Sequence, residues 1–326
     1  MKKKHIVVIG GGTGTTPVLS GLKVFDDLLL SVVVSMTDDG GSNAIVRDEF
    51  GLLPLSDLRK SIIALADSHN ELLREIFTYR FAKGEGLSGH TLGNLILMGL
   101  TDIKKGEVSA VEALSKLFRV KGNVLPVTLD KTALVATYDD GTVIKSEHLI
   151  DEPSFDTPKR IIKLSLDPPA TENAAVSLAI SKADYIIAGP GDLFTTTLAN
   201  IIVGGVADSI RKSSAKFIYI TNLMTKRGQT DMMTLKDTVS EVARYVGREP
   251  DNIIVHDGVV PDAIMQKYSS FGRKRLFDDL GADRRVFRGD VACDQYVETG
   301  EGDTLLRSFL RHDPKKLAKI LHKIMI

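Results

Sequence analysis

The chain has 326 residues, which is enough for one large α/β domain or two modest ones, and its 42 basic residues balance its 42 acidic residues. This balance gives no overall field that would draw the protein to nucleic acid or to a membrane surface. The single cysteine, Cys293, excludes an internal disulfide framework, and no apolar run approaches the roughly 18 residues that a membrane span needs. These features predict a soluble cytoplasmic protein with neither a nucleic-acid partner nor a membrane span.

The first predicted elements are a strand, a glycine loop and a helix. The apolar run 6–9 enters the loop 10–14, and Pro17 is placed at the start of a helix with Thr15 or Thr16 as its N-cap. Glycines let backbone N–H groups approach an anion, which would also meet the positive end of the helix dipole. The candidate phosphate-binding residues of this loop are Gly11, Gly12, Thr13 and Gly14.

A second strand, around residues 32–34, leads into a polar loop with two adjacent carboxylates and two glycines. In an open α/β sheet, ligands bind at the carboxyl ends of the strands, so this loop and the glycine loop are expected at one rim. The candidate ligand-binding residues here are Asp38, Asp39, Gly40 and Gly41.

Two nucleotide-binding motifs contain glycine loops of this general kind. In the dinucleotide motif, Gly10 and Gly12 fit the first two glycine positions, but Thr15 occupies the third. The acidic residue that this motif requires about twenty residues later is present as Asp38 or Asp39. A nicotinamide oxidoreductase is therefore a further alternative, which Thr15 at the third glycine position makes less favoured. The phosphate loop of nucleoside triphosphatases is excluded, because no Lys-Ser/Thr pair follows the glycines.

Helices are predicted next, the first with Ser56 as its N-cap and the others at residues 71–81 and 110–118. Asn94 follows a glycine-flanked segment at another helix start. An amide at the mouth of a glycine-lined site can bind a base or a sugar hydroxyl, so Asn94 is a further candidate.

The middle of the chain changes character. Runs 123–129, 132–138 and 161–166 are predicted strands, and Asp140-Gly141 marks a tight hairpin turn. We therefore predict a small antiparallel insertion at about 123–166 on the main sheet.

The second half repeats the strand–glycine loop–helix arrangement. A buried strand at 184–188 ends in a loop with Gly189, Gly191 and Asp192, and hydroxyl side chains follow at the helix entry. After a strand at 216–221, the polar loop 222–231 contains Asn222, Lys226 and Arg227, which are candidate contacts for phosphates.

The chain then continues with a helix at 235–246, a last buried strand at 253–256, and tail helices at 304–310 and 314–324.

Six of these segments resemble, in the same order, the motifs of the CofD/YvcK family. The matching segments are 10–14, 38–42, 53–59, 90–94, 189–191 and 222–231. One branch of that family contains 2-phospho-L-lactate transferase, which builds a deazaflavin coenzyme. The run 222–231 and the tail sequence Arg311-His312-Asp313 are more similar to the other branch, the YvcK-type gluconeogenesis factors that bind UDP-sugars.

The chain departs from the family pattern at two places beside the expected site. It has Asn43-Ala44-Ile45-Val46 where the family usually has Ser and Gly before Arg, and Leu55-Ser56 where the family tends to have Pro-Gly.

The resemblance implies one domain over residues 1–326, with a three-layer Rossmann-like α/β fold, a mainly parallel sheet and a helical tail at about 304–326. It implies a cytoplasmic UDP-sugar-binding regulator, a gluconeogenesis factor affecting carbon metabolism, cell-wall supply and cell shape, which requires no cofactor. A homodimer is compatible with it. In this interpretation the two glycine loops hold the diphosphate, Tyr268 stacks on the uracil or sugar, and Arg311 reaches a phosphate.

The alternative is an enzyme, a Mg²⁺-dependent CofD-like phosphotransferase. There Asp38 and Asp39 would hold the metal or activate an acceptor hydroxyl. An obvious nucleophile is not required, because phosphoryl-type transfer depends mostly on positioning and charge.

Overall fold

The computed structural model describes residues 3–41, 43–44, 50–67, 71–84, 86–155, 157–294 and 308–325. Its strands are β1 Lys4–Gly10, β2 Leu28–Val34, β3 Asn123–Pro126, β4 Ala133–Tyr138, β5 Val143–Lys145, β6 Ile161–Asp167, β7 Tyr185–Ala188, β8 Lys216–Ile220, β9 Asn252–His256 and β10 Val286–Gly289. Seven of them form a wholly parallel sheet in the order β10-β9-β8-β7-β1-β2-β3.

The helices of the described residues are α1 Gly12–Leu22, α2 Ser56–Leu65, α3 Glu71–Thr78, α4 Leu92–Lys104, α5 Glu107–Leu117, α6 Glu147–Asp151, α7 Ala174–Ser181, α8 Ala199–Ile201, α9 Val206–Lys212, α10 Leu235–Val246, α11 Asp262–Ser269 and α12 Pro314–Met325. A π-helical segment, Leu193–Leu198, immediately precedes α8. Helix α1 packs against α2 and α12, whereas α9 packs against α7 and α10. Because crossovers between parallel strands are right-handed as a rule, these two groups are expected on opposite faces of the sheet. The mainly parallel sheet with its helices and a small antiparallel sheet confirms the predicted α/β fold.

The central strand β1 shows why the sheet forms here. Its run Ile6–Ile9 is apolar without alternation, and all four of its side chains are buried. Continuous apolar strands of this kind are typical of parallel sheets that are covered by helices on both faces.

The chain leaves the centre of the sheet in two directions. From β1 it proceeds outward through β2 to β3, and later from β7, which lies on the other side of β1, through β8 and β9 to β10. The carboxyl ends of β1 and β7 therefore meet at a topological switch point, where open α/β sheets bind ligands.

A second, antiparallel sheet in the order β5-β4-β6 is joined to this core. The turn between β4 and β5 is closed by bonds between Tyr138 and Thr142 and between Gly141 and Tyr138, as the Asp-Gly pair predicted. Helix α6 follows β5 and contacts β4, β5 and the π-helical segment. The antiparallel sheet begins at Ala133, because β3 pairs in parallel with β2 and belongs to the main sheet.

The structure corrects two predicted helix starts. Helix α1 begins at Gly12, whose φ of +62° makes the turn out of the loop, and Pro17 lies inside the helix. Ser56 is the first residue of α2 and does not cap it, because its hydroxyl donates to Asn43 Oδ1 at 3.0 Å.

The strand β9 is not the last strand, because β10 pairs with it at the edge of the sheet. Of the predicted tail helices, 314–324 is confirmed as α12, whereas residues 304–307 lie outside the described residues and 308–310 are not helical. None of the helices in the described part of the chain has the length and apolar character that crossing a membrane requires.

Candidate functional site

A cavity of about 210 Å³ opens at the switch point. Its floor is formed by the loop after β1 and the start of α1, where Gly11, Gly12, Thr13 and Gly14 all line it. The N-terminus of an 11-residue helix thus faces the cavity, and its dipole favours an anion there.

The loop after β7 completes this floor. A Cβ atom at Gly14 would overlap the Pro190 carbonyl oxygen and lie 2.9 Å from Gly191 Cα, so the two glycine loops are in direct contact. Asn200 ties them together from below, because its Nδ2 donates to the carbonyl of Gly10 at 3.1 Å and to that of Thr196 at 2.8 Å. Only glycine at position 14 permits this approach.

One wall of the cavity is acidic. It is lined by Asp38, Asp57 and Glu147, with Lys60 bonded to Asp57 at 2.8 Å. Burial, followed by the charge of Asp57, raises the pKa of Asp38 to about 6. Burial, and then the charge of Asp38 and the other nearby carboxylates, also raises the pKa of Glu147 well above its usual value. This wall therefore repels anions and favours hydrogen-bond donors or cations.

Asp57 also covers part of the glycine loop. A Cβ atom at Gly11 would lie 2.5 Å from Asp57 Oδ2, and one at Gly12 would lie 3.5 Å from it. The carboxylate at the start of α2 is thus held over the backbone that is expected to bind phosphate.

A buried polar network supports Asp38 from behind. Asn43 hydrogen-bonds Asp38, and its Oδ1 accepts from the backbone N–H of Leu55 at 3.2 Å and of Ser56 at 3.3 Å. Asn94 Nδ2 then donates to Ser56 Oγ at 3.0 Å, and Asn94 Oδ1 accepts from Arg59 Nε at 2.8 Å. The two departures from the family pattern, at Asn43 and at Leu55-Ser56, therefore contact each other.

A second acidic group is paired with a lysine. Lys226 Nζ lies 2.9 Å from Asp151 Oδ2 and 3.5 Å from Asp192 Oδ2, and Gln229 Nε2 donates to Asp151 Oδ1 at 3.1 Å. Burial raises the pKa of Asp192, whereas Lys226 overcomes the effect of burial on Asp151 and lowers the pKa of that carboxyl. Lys226 is thus already neutralised by two carboxylates.

Another part of the lining comes from the C-terminal part of the chain and includes Tyr268, Arg273, Arg311 and His312. The Tyr268 ring is only 1% exposed, packs edge-on against Phe309, and accepts the Leu310 N–H at its hydroxyl at 2.9 Å. Burial lowers the pKa of His312 to about 3, so this imidazole is neutral at physiological pH.

The structure brings most of the predicted site residues together. Those that line the cavity are Gly11, Gly12, Thr13, Gly14, Asp38, Gly191, Asp192, Asn222, Lys226, Tyr268 and Arg311. Those outside its lining are Asp39, Gly40, Gly41, Asn94, Gly189 and Arg227.

The residues outside the lining have structural contacts instead. Asp39 Oδ1 accepts from Ser146 Oγ at 3.0 Å and from the N–H of His148 at 2.8 Å, which fixes the start of α6. Gly40 packs beside His148, and Gly41 is exposed with a φ of +49°. Gly189 turns the chain below the loop with a φ of +80°.

Arg227 also points away from the cavity. It is exposed and donates to the carbonyl of Phe155 at 3.0 Å. The polar loop 222–231 therefore contributes Asn222 and Lys226 to the cavity lining but not this arginine.

Several lining residues were not singled out from the sequence. They are Asp57, Lys60, Glu147, Asp151, Glu152, Thr196, Arg273 and His312. The sequence did point to Asp57, because it is a carboxylate near a helix start in a segment that resembles the family. A favourable interaction with the helix dipole explained its presence equally well. Nothing in the sequence pointed to Glu147 and Asp151, because hydrophobic periodicity does not show how the antiparallel insertion packs against the main sheet.

For a metal ion, the donor set is limited. Among the described residues no group of three or more His, Cys, Asp or Glu side chains is arranged to hold one. Asp38 and Asp57 do influence each other electrostatically, and Mg²⁺ commonly uses one or two carboxylates plus phosphate oxygens and water. If an ion of this kind binds here, Asp38 and Asp57 are the lining carboxylates that would hold it, with Asp57 in the place that the sequence suggested for Asp39.

Comparison with known proteins places these features in context. The family model described as 2-phospho-L-lactate transferase CofD matches residues 6–291. A gluconeogenesis factor of Halalkalibacterium halodurans is 38% identical over 323 residues, covering 98% of this chain and 96% of the relative. The gluconeogenesis factor of Bacillus subtilis is 34% identical over 322 residues and covers 98% of both chains. A crystal structure of a Bacillus halodurans protein superimposes with a TM-score of 0.89 at 32% identity, covering 98% of this chain and 100% of that chain.

Proposed function

The chain belongs to the CofD family, and we propose that it is a nucleotide-sugar-binding regulatory protein whose ligand resembles UDP-N-acetylglucosamine. In this proposal it acts as a gluconeogenesis factor in carbon metabolism, and it affects cell-wall supply and cell shape. Similarity over nearly its whole length to the gluconeogenesis factors of Halalkalibacterium halodurans and Bacillus subtilis supports the role.

The observation that carries the proposal is the contact of two glycine loops at the switch point. Gly14 touches the loop at Pro190 and Gly191, so the backbones of both loops face one cavity beside the N-terminus of α1. Backbone N–H groups and a helix dipole are suited to the diphosphate of a nucleotide sugar.

The charge distribution suggests how the rest of the ligand lies. Asp38 would repel a phosphate, but a carboxylate readily accepts hydrogen bonds from hydroxyl and amide groups. We therefore place the sugar, with its hydroxyl and amide donors, toward the acidic wall, and the diphosphate at the glycine loops.

The second candidate function is that of a Mg²⁺-dependent transferase of the 2-phospho-L-lactate type. The mutual influence of Asp38 and Asp57 beside the glycine loop favours it. When bound, Mg²⁺ would neutralise developing charge on a phosphoryl group. Asp38 and Asp57 would hold it, and the glycine loops would position the phosphates.

Calorimetric titration separates these candidates. UDP-N-acetylglucosamine, NAD and GDP would each be titrated into the protein, once with EDTA and once with Mg²⁺. We expect heat from the UDP-sugar alone, with an affinity that is the same in EDTA and in Mg²⁺. Binding of NAD without a UDP-sugar signal would contradict the proposal, and UDP-sugar affinity that collapses in EDTA and returns with Mg²⁺ would favour the transferase.

A further inference from the structure

Arg273 is a buried cation in the wall of the cavity. It follows the end of α11, where its backbone N–H bonds to the carbonyl of Tyr268 at 3.0 Å. The residue is only 6% exposed, and it lines the cavity together with Arg311 and His312.

The guanidinium group of Arg273 is unusual in its lack of partners. Its Nε atom is completely buried and has no hydrogen-bond partner in the described ranges. The charge of Arg273 acts on Asp192 and Asp231 and favours their ionised forms, but no ion pair is formed with either carboxylate. Arginine has five N–H donors, and buried polar groups are almost always hydrogen-bonded.

The two lysines of the cavity are different. Lys60 is paired with Asp57 at 2.8 Å, and Lys226 is held between Asp151 and Asp192 at 2.9 and 3.5 Å. Both ammonium groups are therefore already paired with carboxylates of the protein, and their attraction for an incoming anion is weakened.

Burying a cation without hydrogen-bond partners is costly, and such a group is expected to be completed by a ligand. We propose that Arg273 binds a phosphate group of the ligand. This inference rests on the proposed function, and it gives Arg273 the role that the sequence suggested for Lys226 and Arg227, beside the phosphate contact that the sequence suggested for Arg311.

The geometry of the side chain also defines what it should recognise. The planar guanidinium can donate two parallel hydrogen bonds to a pair of anionic oxygens, which a lysine ammonium cannot do. Inorganic pyrophosphate, UMP and uridine separate the contributions of the phosphates and of the base, because uridine contains no phosphate.

The test compares Arg273→Gln and Arg273→Lys with Arg227→Gln. The last is a matched control, because Arg227 is an exposed arginine outside the cavity lining. Melting temperature would be followed with increasing pyrophosphate, UMP, uridine or UDP-N-acetylglucosamine, since a ligand that binds the native state raises it.

We expect the pyrophosphate- and UMP-dependent rise in melting temperature to vanish in Arg273→Gln. In Arg273→Lys the apparent affinity should fall by about tenfold or more. Arg227→Gln should respond like the native protein. Without ligand, Arg273→Gln should melt no lower than the native protein, because the buried Nε has no hydrogen-bond partner whose loss would offset the relief of no longer burying a cation.

Two results would overturn the inference. One is a pyrophosphate response that is absent from the native protein or unchanged in Arg273→Gln. The other is a ligand-free Arg273→Gln variant that melts well below the native protein, which would show a structural arginine. If pyrophosphate stabilises the native protein but UDP-sugars bind no better than other nucleotides, the proposed function fails and the role of Arg273 stands.

Discussion

Asp38 illustrates how a residue of the cavity can serve ligand binding at the expense of stability. Its pKa is raised from 3.8 to about 6 by burial and by Asp57. The folded protein therefore holds this proton more tightly than the unfolded chain between these two pH values. Stability consequently falls as the pH rises through this interval, and the full penalty is present above about pH 6.

The first prediction concerns Asp38→Asn in the ligand-free protein. Removing the charge should raise the free energy of unfolding at pH 7 by about 1–2 kcal/mol, and the gain should disappear near pH 4. Chemical denaturation at the two pH values measures this difference. A variant that is less stable at pH 7, or equally changed at both values, would show that the carboxylate is not destabilised by its surroundings.

The same substitution should have the opposite effect on binding. Loss of a charged hydrogen bond to a sugar hydroxyl or amide should weaken UDP-sugar affinity by roughly 1.5–3 kcal/mol. Calorimetry in EDTA measures this change without interference from a metal. Unaltered affinity would place the sugar away from the acidic wall.

Asn43 and Ser56 form a hydrogen-bonded pair beside the cavity. Ser56 donates to Asn43 Oδ1 from both its N–H and its hydroxyl, and Asn43 is 1% exposed. Leu55 donates its N–H to the same oxygen. The proline that the family tends to have at this position has no N–H and could not form this bond. The two departures from the family pattern thus fit each other.

A double-mutant cycle tests this fit. Asn43→Ser and Ser56→Gly should each destabilise the protein, and their combination should cost less than the sum by about 0.5–3 kcal/mol. The free energies of unfolding of the four proteins give the coupling. Additive effects would indicate that the two positions vary independently.

At the scale of elements, the contact between the two glycine loops holds the cavity together. In Gly14→Ala the new methyl group would overlap the Pro190 carbonyl, so we expect a loss of about 1–3 kcal/mol in unfolding free energy together with the loss of ligand binding. Gly99→Ala is the control, because this exposed glycine lies inside α4 with no neighbour within 4 Å of the new atom. That control should gain about 0.5–1 kcal/mol and bind normally. A Gly14→Ala variant with native stability and affinity would contradict the close approach.

Helix α6 depends on Asp39 in a comparable way. Asp39→Ala removes the acceptor for Ser146 Oγ and the His148 N–H, which should cost about 1–3 kcal/mol and weaken ligand binding by displacing Glu147. Asp39→Asn keeps an oxygen acceptor and should retain most of both properties. Equal losses in the two variants would instead indicate a direct role for the carboxylate charge.

The sequence predicted elements well where periodicity and glycine placement are informative. The run 6–9, the helix Leu235–Val246 and the Asp-Gly hairpin were all placed correctly. It placed the start of α1 incorrectly because Pro17 is a strong helix-start signal, whereas the turn is made by Gly12 with its positive φ. The strand β10 was missed because its four residues carry no alternating or continuous apolar pattern.

At the scale of the whole molecule, the seven-stranded parallel sheet explains why distant motifs converge. Strands β1 and β7 are adjacent although about 180 residues separate them, so their two glycine loops share one rim. Repeated strand–glycine loop–helix patterns made this part of the site predictable. The acidic wall from α6 and the buried Arg273 were not predictable, because they depend on how an insertion and a tail pack onto the sheet.

The proposed function requires the two glycine loops to bind the diphosphate of a nucleotide sugar. A crystal structure of the protein with UDP-N-acetylglucosamine tests it most directly. We predict diphosphate oxygens at about 3 Å from backbone nitrogens of the loop at Gly12 to Gly14, with the sugar toward Asp38. A diphosphate bound away from both glycine loops would contradict this binding mode.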